Sequence, residues 1–376
     1  MRRSILERWL RDDSSPGRSS SAAPLFIVLV SSIAVWLSLA PLVSASPDDP
    51  VDPAEALPTD ADSNSSMGMK PVRNSPPPPI GARFAESLEG KRLRLAYSFE
   101  KHRYRQLLSG SRERSASQAR NQHNPPYEQT PKALDVIVHT IVLAYAPHPR
   151  LTLVFEVPFL DKELKRIDAM GVSRRDGSDG IGDIGFSFII PFIRKGRESS
   201  QIHFGFDAPT GAIRRGGNQG RLPYDNQIGN GSWDFEWGWT YRGELDYFSW
   251  GGQVVGNHSV GRNGLHYREG SRFEASIWSG LRIVSGLSAS LRFSLEKRNN
   301  ISGRDRSLDI VADGPSSNDK KRGGFHVDVY PGISLEIPGL DRQRLAIEFG
   351  LPIYQHLDGP QLSRDWSVKA GWQWVY

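Results

Sequence analysis

The C-terminal segment constrains the fold of this chain most strongly, because its bulky and its small side chains alternate residue by residue. Residues 365–376 read DWSVKAGWQWVY. Side chains of an extended strand point alternately to two faces, so Trp366, Trp372, Trp374 and Tyr376 share one face and small or polar groups share the other. A soluble sheet rarely exposes such an aromatic face, whereas lipid accommodates it. The segment therefore predicts a membrane β-strand.

The composition is compatible with a membrane barrel and excludes a protein made of membrane helices. The chain has 376 residues, no cysteine, ten Trp and 37 Gly, and its mean hydropathy is −0.45. A barrel can be this polar because half of each strand faces the lumen. The lack of cysteine fits an envelope protein that avoids stray disulfides.

The N-terminal region predicts export. Five arginines precede an apolar run at residues 25–39, and the tripeptide at residues 43–45 (VSA) provides a small-x-small cleavage site. We predict a signal peptide over residues 1–45, with an uncleaved inner-membrane anchor as the alternative. Its removal takes away five arginines and three acidic residues, so the formal charge falls from +5 to +3. This modest charge gives no indication of nucleic-acid binding.

Residues 46–82 are rich in Pro, Asp and Ser and contain four consecutive prolines at 76–79. They have too few large apolar side chains to build a core. The composition predicts a disordered periplasmic tether, which leaves residues 83–376 for the membrane domain.

From residue 90 onward, twelve segments alternate apolar with polar side chains. For the second segment we predict a lipid face of Val136, Val138, Val142 and Ala144, with His139 facing the lumen. The connections alternate between long ones, near 109–132, 159–181, 208–231, 257–271, 297–323 and 352–364, and short ones, near 146–150, 191–199, 243–246, 283–286 and 338–342. Outer-membrane barrels have long external loops and short periplasmic turns. The pattern predicts an all-β fold, an antiparallel transmembrane β-barrel of about twelve strands, with a soluble β-sandwich as the alternative.

The lipid faces of these segments predict an aromatic membrane girdle. Its predicted members are Trp233, Trp237, Trp239, Trp250, Trp372, Trp374 and Tyr376. Trp278 follows the lumen parity instead, where its ring either stacks on a solute or fills space. Outer-membrane lipid and, through the C-terminal strand, the barrel-assembly machinery are the predicted partners.

Five short segments, taken in order, resemble one known family: residues 180–185 (GIGDIG), 209–211 (PTG), 227–234 (QIGNGSWD), 267–270 (YREG) and 349–355 (FGLPIYQ). They resemble the family of outer-membrane transporter-like barrels named after the MetA pathway of phenol degradation. The resemblance extends over roughly residues 130–376. It implies an outer-membrane barrel with a role in the passage of small compounds and no established catalytic residues. The Met- and His-rich stretches of some relatives, which suggest soft metals, are not matched here, so no metal site is predicted.

The polar faces of the strands predict the lumen. Acidic side chains fall at the external end: Glu100, Asp135, Glu156, Asp183, Asp207, Asp234, Glu236, Glu274, Glu296, Asp328 and Glu348. Basic side chains fall lower: Arg92, Arg94, Arg242 and Arg282 near the periplasmic mouth, and Arg292 and Lys369 nearer the middle. Rings of carboxylates favour cations in pores. The alternative is that the charges pair across a narrow lumen and fill it.

Enzymatic functions are not favoured. Residues 180–185 match a dinucleotide fingerprint in form, but they open a strand and predict a turn. A barrel lipase needs a Ser and a His on the lipid-facing wall. His139, His203 and His326 follow the predicted lumen face, and His258 beside Ser259 lacks a third member. We therefore predict no enzyme and no cofactor, but an outer-membrane channel or transporter-like barrel that passes or binds a small solute, such as an aromatic compound or a cation. The alternative is a non-conducting structural or sensory barrel.

Overall fold

The structure, a computed structural model, describes residues 75–217, 220–337 and 342–376, and antiparallel strands dominate these ranges. The predicted signal peptide and residues 46–74 of the predicted tether lie outside the described residues. None of the helices among the described residues is long and apolar enough to cross a membrane.

Seventeen strands follow one another along the described chain. They are β1 (Arg92–Gly110), β2 (Arg112–Arg114), β3 (Gln129–His148), β4 (Leu151–Asp168), β5 (Ser173–Ile181), β6 (Ile184–Lys195), β7 (Glu198–Ala208), β8 (Gly216–Gly217), β9 (Gly220–Arg221), β10 (Trp233–Glu244), β11 (Phe248–Val260), β12 (Tyr267–Arg268), β13 (Arg272–Val284), β14 (Leu287–Arg298), β15 (Ser302–Gly303), β16 (Gly324–Glu336) and β17 (Gln343–Val375). Two short helices, Ala116–Arg120 and Ile310–Asp313, and three 3-10 turns, Tyr224–Asn226, Pro315–Ser317 and Asp319–Lys321, lie between strands.

Eleven of these strands form a closed antiparallel barrel. Neighbours in the wall follow the order β17, β16, β14, β13, β11, β10, β7, β6, β4, β3 and β1, and β1 pairs with β17 to close the ring. The first part of β17 pairs with β16 as far as Leu357, and its second part pairs with β1. Strand β17 therefore turns back near Leu357 and crosses the wall twice, which gives twelve passes. The predicted fold class is confirmed.

The outer wall carries the apolar faces that the sequence predicts for the strands other than β3. Trp233, Trp237 and Trp239 are 53%, 43% and 44% exposed, and Tyr376 is 73% exposed. A closed barrel with an apolar exterior buries every edge and presents its hydrophobic surface to lipid. The fold is therefore that of an outer-membrane β-barrel, in agreement with the location predicted from the sequence.

The predicted orientation of β3 is wrong. Ile141 and Leu143 are 57% and 43% exposed, whereas Ala144 is fully buried, and Val136, Val138 and Val142 line the interior. The alternation in β3 does not distinguish the faces, because both sets of residues over 136–145 are mainly apolar. The inward valines and Ala144 are needed because an apolar part of the chain fills this side of the barrel.

At the external end the barrel continues into structured loops. Strand β5 pairs with the outer half of β4, from Phe159↔Ile181 to Ile167↔Ser173, so much of the predicted connection 159–181 is a projecting β-hairpin. Tyr224, Tyr267, Ile301 and Leu308 from three loops form a small apolar core. These contacts give the external loops a fixed arrangement over the barrel.

Residues 75–90, here called the plug segment, lie inside the barrel. The four prolines at 76–79 are buried. Ala82 and Ala85 pack against Trp278, and Phe84 and Leu88 pack against apolar residues of β3, β4 and β6. Residues 75–82, predicted to belong to the tether, are instead part of the packed interior. Their Pro-rich composition resembles that of a linker. In the structure, however, the proline rings pack inside the lumen and the carbonyl groups accept hydrogen bonds from its arginines.

Candidate functional site

The lower end of the plug segment is bound by three arginines from three separate strands. The Glu86 carboxylate lies 3.9 Å from Arg94 of β1, 3.8 Å from Arg242 of β10 and 3.7 Å from Arg344 of β17. We call these arginines the arginine trio. Their side chains are only 8–15% exposed, so the carboxylate offsets a concentration of positive charge inside the lumen.

Backbone carbonyl groups of the plug segment accept hydrogen bonds from the same basic belt. Arg344 Nη2 donates to Pro78 O at 2.7 Å, and Arg242 Nη2 donates to Pro76 O at 3.4 Å. Arg282 Nη2 donates to Ser75 O at 2.9 Å. The carbonyl groups of Ser75, Pro76 and Pro78 can accept these bonds because this part of the segment is extended and pairs with no β-strand. The predicted basic belt therefore binds part of the chain itself.

The upper end of the plug segment carries the opposite charge. Arg83 Nη2 lies 2.7 Å from Glu156 Oε2 of β4, and Arg83 Nη1 lies 3.3 Å from Glu236 Oε2 of β10. We call these two carboxylates the acidic pair. Gln253 and Gln201 donate to the backbone carbonyls of Arg83 and Phe84. The segment thus places a cation at the acidic half of the lumen and an anion at the basic half.

Most of the predicted lumen residues face inward. Those that line the interior or form ion pairs within it are Glu100, Glu156, Asp183, Asp207, Asp234, Glu236, Glu274, Trp278, Arg282, Arg292, Glu296, Asp328, Glu348 and Lys369. The basic residues Arg92, Arg94 and Arg242 follow the same inward parity. Their role in a solute path stays a prediction.

Two predicted lumen residues lie on the outer face instead. His139 accepts or donates a 2.7 Å hydrogen bond to the Tyr97 hydroxyl and packs beside Phe99, both of which face lipid. Asp135 shares the parity of His139 and pairs with Arg105 at 2.8 Å. Both errors follow from the inverted face of β3, since a shift of one residue exchanges the two sides of a strand.

Many of the predicted acidic residues are neutralised. Glu100 pairs with Lys369 at 2.8 Å, and Glu296 lies 3.5 Å from Arg272 and 3.6 Å from Arg364. Asp328 also pairs with Arg364. Arg292 lies between Glu348 at 3.1 Å and Glu274 at 3.6 Å. Glu348 is opposite Gly332, four residues beyond Arg344, so it lies in the lower half of the lumen rather than at the external end.

Among the predicted lumen carboxylates at the external end, three have no ion pair with a described residue: Asp183, Asp207 and Asp234. Asp183 accepts from the backbone N–H groups of Gly211 at 2.8 Å and Asn230 at 2.7 Å. Asp234 accepts from Asn230 Nδ2 at 2.5 Å and stands opposite Asp207 across the β10–β7 ladder. The predicted acidic mouth is thus reduced to a small group, two members of which bind the external loops.

A cavity of about 750 Å³ is lined by the plug segment and by the external loops. The plug segment contributes residues 78–86, the loops contribute residues 224, 225 and 227–230, and the cavity reaches down beside the plug segment to Arg94, Arg344 and Gln373. Charged side chains of both signs line it, among them Lys162, Arg272, Arg298 and Glu269. The volume is within the usual range for a small-molecule site.

The predicted histidines do not form a metal site or a catalytic triad. His203 is buried against the Phe84 ring, with ring centroids 4.3 Å apart, and His326 lines the cavity elsewhere. No group of three metal-ligating side chains occurs within the described ranges. His258 pairs with Ser271 rather than Ser259, with 2.6 Å between Nδ1 and Oγ.

Sequence reasoning missed the residues that organise this site. Arg83 and Glu86 lay at the predicted boundary between tether and barrel, where no strand pattern gave them a direction. The inward direction of Arg344 could have been predicted, because side chains alternate along a strand and the adjacent Leu345 faces lipid. Arg364 was hidden, because register shifts interrupt the pairing of β1 with this part of β17.

Comparisons with known proteins support the fold. No family model matches the sequence, and no curated protein matches it. Among solved structures, an outer-membrane channel from Pseudomonas putida F1 is similar with a TM-score of 0.54 at 13% identity, over 78% of this chain and 98% of that chain. A FadL homologue from Pseudomonas aeruginosa has a TM-score of 0.38 at 8% identity, over 76% of this chain and 90% of that chain. The toluene transporter TodX of P. putida has a TM-score of 0.34 at 10% identity, over 77% of this chain and 90% of that chain.

Proposed function

We propose that this chain is an outer-membrane channel or carrier for a small polar solute, and that its plug segment closes the pore. The observation that carries the proposal is the cavity of about 750 Å³ inside the lumen, which the plug segment lines over residues 78–86. Solute that enters between the external loops reaches residues 78–86 and advances only when these residues move. The similar P. putida structure is an outer-membrane channel. This similarity and the resemblance to the phenol-degradation family support passage of a small compound.

The contacts of the plug segment favour displacement over a permanent filling. It is held by ion pairs and by hydrogen bonds to its carbonyl groups, and its apolar side chains form two small clusters with the wall rather than one continuous core. Charged contacts can exchange for water or for a charged solute, whereas a close-packed apolar core cannot without creating a void. The remaining acidic group of Asp183, Asp207 and Asp234 would attract the cationic part of a solute to the mouth.

A disulfide between the plug segment and the wall tests the proposal directly. A Cβ built on Gly280 lies 3.4 Å from the Pro76 Cβ, which is close to the separation in a disulfide. Because the chain has no cysteine, the double variant Pro76→Cys/Gly280→Cys contains only this pair. We expect discrete conductance steps in planar bilayers for the reduced form and none for the oxidised form.

Two results would contradict the proposal. Equal conductance of the oxidised and reduced forms would show that solute does not pass the plug segment. A reduced, correctly folded barrel that neither conducts nor admits small solutes into vesicles would favour the non-conducting structural or sensory barrel. A single variant, Gly280→Cys, controls for the effect of the new side chain next to Ser249.

A barrel hydrolase is the weaker candidate, and one observation favours testing it. His258 and Ser271 form a hydrogen-bonded pair at the external end of β11 and β13. Among the described residues, no third group hydrogen-bonds to the other nitrogen of His258, so the orienting member of a triad is not seen. Reaction of Ser271 with a fluorophosphonate would favour the hydrolase; we expect no labelling.

A further inference from the structure

The plug segment has the charge pattern of a ligand bound to a two-part site. Its cation, Arg83, contacts two carboxylates, Glu156 and Glu236. Its anion, Glu86, contacts three guanidinium groups. The two charged residues are separated by only two others, so the positive and the negative site lie within the reach of one short stretch of chain.

The arginine trio needs an anion whether or not the plug segment is present. Among the described residues, Arg94 and Arg344 have Glu86 as their sole ion-pair partner, and Arg242 has Glu244 in addition. Withdrawal of the segment would leave three like charges close together in a confined lumen, which is costly unless an anion replaces the carboxylate. The fork geometry of arginine matches a carboxylate well.

The acidic pair has the complementary requirement. Glu236 is only 8% exposed, and Glu156 18%, so removal of Arg83 leaves two neighbouring carboxylates in the lumen without a shared cation. A cationic group that enters as Arg83 leaves would restore the neutral arrangement. One solute that carries both charges meets both requirements at once.

We propose that the plug segment is an internal ligand, and that the acidic pair and the arginine trio form the binding site of a zwitterionic solute with a cationic group and a carboxylate. The inference rests on the proposed function, because the site becomes available when the plug segment moves. The solute competes with Arg83 and Glu86 for the same side chains, so its binding favours the displaced state of the segment.

The first experiment follows displacement of the plug segment in the full chain. Ala82→Cys introduces the single cysteine, at a position that is 8% exposed and packed against Trp278, and its rate of modification by N-ethylmaleimide reports release. L-Arginine is the probe, because it carries the guanidinium of Arg83 and a carboxylate. Argininamide lacks the carboxylate. Citrulline lacks the guanidinium, and its α-ammonium is next to the carboxylate, so it cannot reach the acidic pair while the carboxylate occupies the arginine trio.

We expect L-arginine to accelerate modification several-fold and saturably, and the two analogues to have little effect. In the Glu86→Gln background, the concentration of arginine needed for half of the effect should fall about tenfold. The apparent affinity of a ligand rises with the fraction of the protein that is in the binding-competent state, here the state with the plug segment displaced. Glu89→Gln is the matched control, since Glu89 is exposed and outside the site. Arg344→Gln should raise the basal rate and abolish the response to arginine.

The outcomes separate the two proposals. If Glu86→Gln increases both modification and conductance while arginine changes neither, the zwitterion site is wrong and the closed channel stands. If arginine accelerates modification but no variant conducts, the site stands and the passage of solute is wrong. An equal response to arginine, argininamide and citrulline would also overturn the site.

Discussion

Glu100 of the first barrel strand and Lys369 of the last form an ion pair of 2.8 Å across the seam where the barrel closes. The two residues are direct cross-strand neighbours, and their side chains are 24% and 18% exposed. His102 lies 3.3 Å from the same carboxylate. The seam joins segments more than 260 residues apart in the sequence, so this pair stabilises the most non-local contact of the fold.

Lys369→Gln should lower the free energy of unfolding by about 1–2 kcal/mol, because it leaves a partly buried carboxylate without its partner. The measurement is urea-induced unfolding in lipid vesicles. The exchange Glu100→Lys/Lys369→Glu should recover most of the loss, since it restores one charge of each sign. Lys101→Gln, on the outer face, should change stability little. If the free energy of unfolding does not recover in the exchanged variant, the seam is stabilised by packing rather than by the ion pair.

Docking of the plug segment should weaken in acid because of Glu86, which belongs to the plug segment and not to a spanning strand. Burial alone would raise the pKa of Glu86, but Arg344, Arg242 and Arg94 outweigh it and lower the pKa below its ordinary value. A carboxyl group with a lower pKa when docked stabilises the docked state above the pKa of the released state. This stabilisation is lost as pH falls through the docked pKa.

The readout in acid is a dithiodipyridine, which still reacts with thiols where N-ethylmaleimide does not. The rate of Ala82→Cys modification, relative to that of a free thiol at the same pH, should therefore rise as pH falls below about 4.3, the usual pKa of a free Glu. Three other carboxylates face the charges of this site: Glu156 and Glu236 contact Arg83, and Glu244 lies beside Arg242. Comparison with Glu86→Gln isolates the contribution of Glu86, because that variant should show a higher rate at neutral pH and a smaller change in acid. An identical pH profile in the two proteins would contradict the assigned role of the arginine trio.

The corrected face of β3 predicts opposite results for adjacent substitutions. Ile141 is 57% exposed on the lipid side, whereas Thr140 lines the interior cavity. Ile141→Arg should destabilise the barrel by about 2 kcal/mol, since a charge on the lipid face is costly near the middle of the membrane. Thr140→Arg should cost less, because the lumen is polar. Unfolding in vesicles of one lipid composition compares the two, and a larger loss for Thr140→Arg would contradict the assigned face.

The sequence predicted the wall of the barrel better than its contents. Trp233, Trp237 and Trp239 alternate with polar side chains, so one periodicity determined the strand and its lipid face together. The valines of β3 gave no such contrast, and the plug segment has no periodicity at all. Its position depends on Arg83 and Glu86 meeting charges from β1, β4, β10 and β17, which are brought together only by closure of the ring. Long-range charge pairing of this kind leaves no local pattern in a single sequence.

The external hairpin offers a final test, in a part of the chain that lies beyond the membrane. Arg166 of β4 donates two hydrogen bonds to Asp176 of β5, at 2.6 and 3.0 Å, and both side chains are no more than 5% exposed. Asn226 Nδ2 donates to the Asp176 carbonyl at 2.9 Å, so the pair also holds the loop above the cavity. Asp176→Asn leaves the buried Arg166 guanidinium with only Asp313, 3.9 Å away, as its counter-charge. Loss of one partner typically costs about 3–5 kcal/mol for a fully buried pair. We expect this loss to appear as loop opening, and thus as faster external proteolysis with the barrel intact.

The matched variant Arg175→Gln changes an adjacent side chain that is 68% exposed, and it should leave the cleavage rate unchanged. Equal cleavage rates in Asp176→Asn and the unmodified chain would show that the loops are fixed by their apolar core instead.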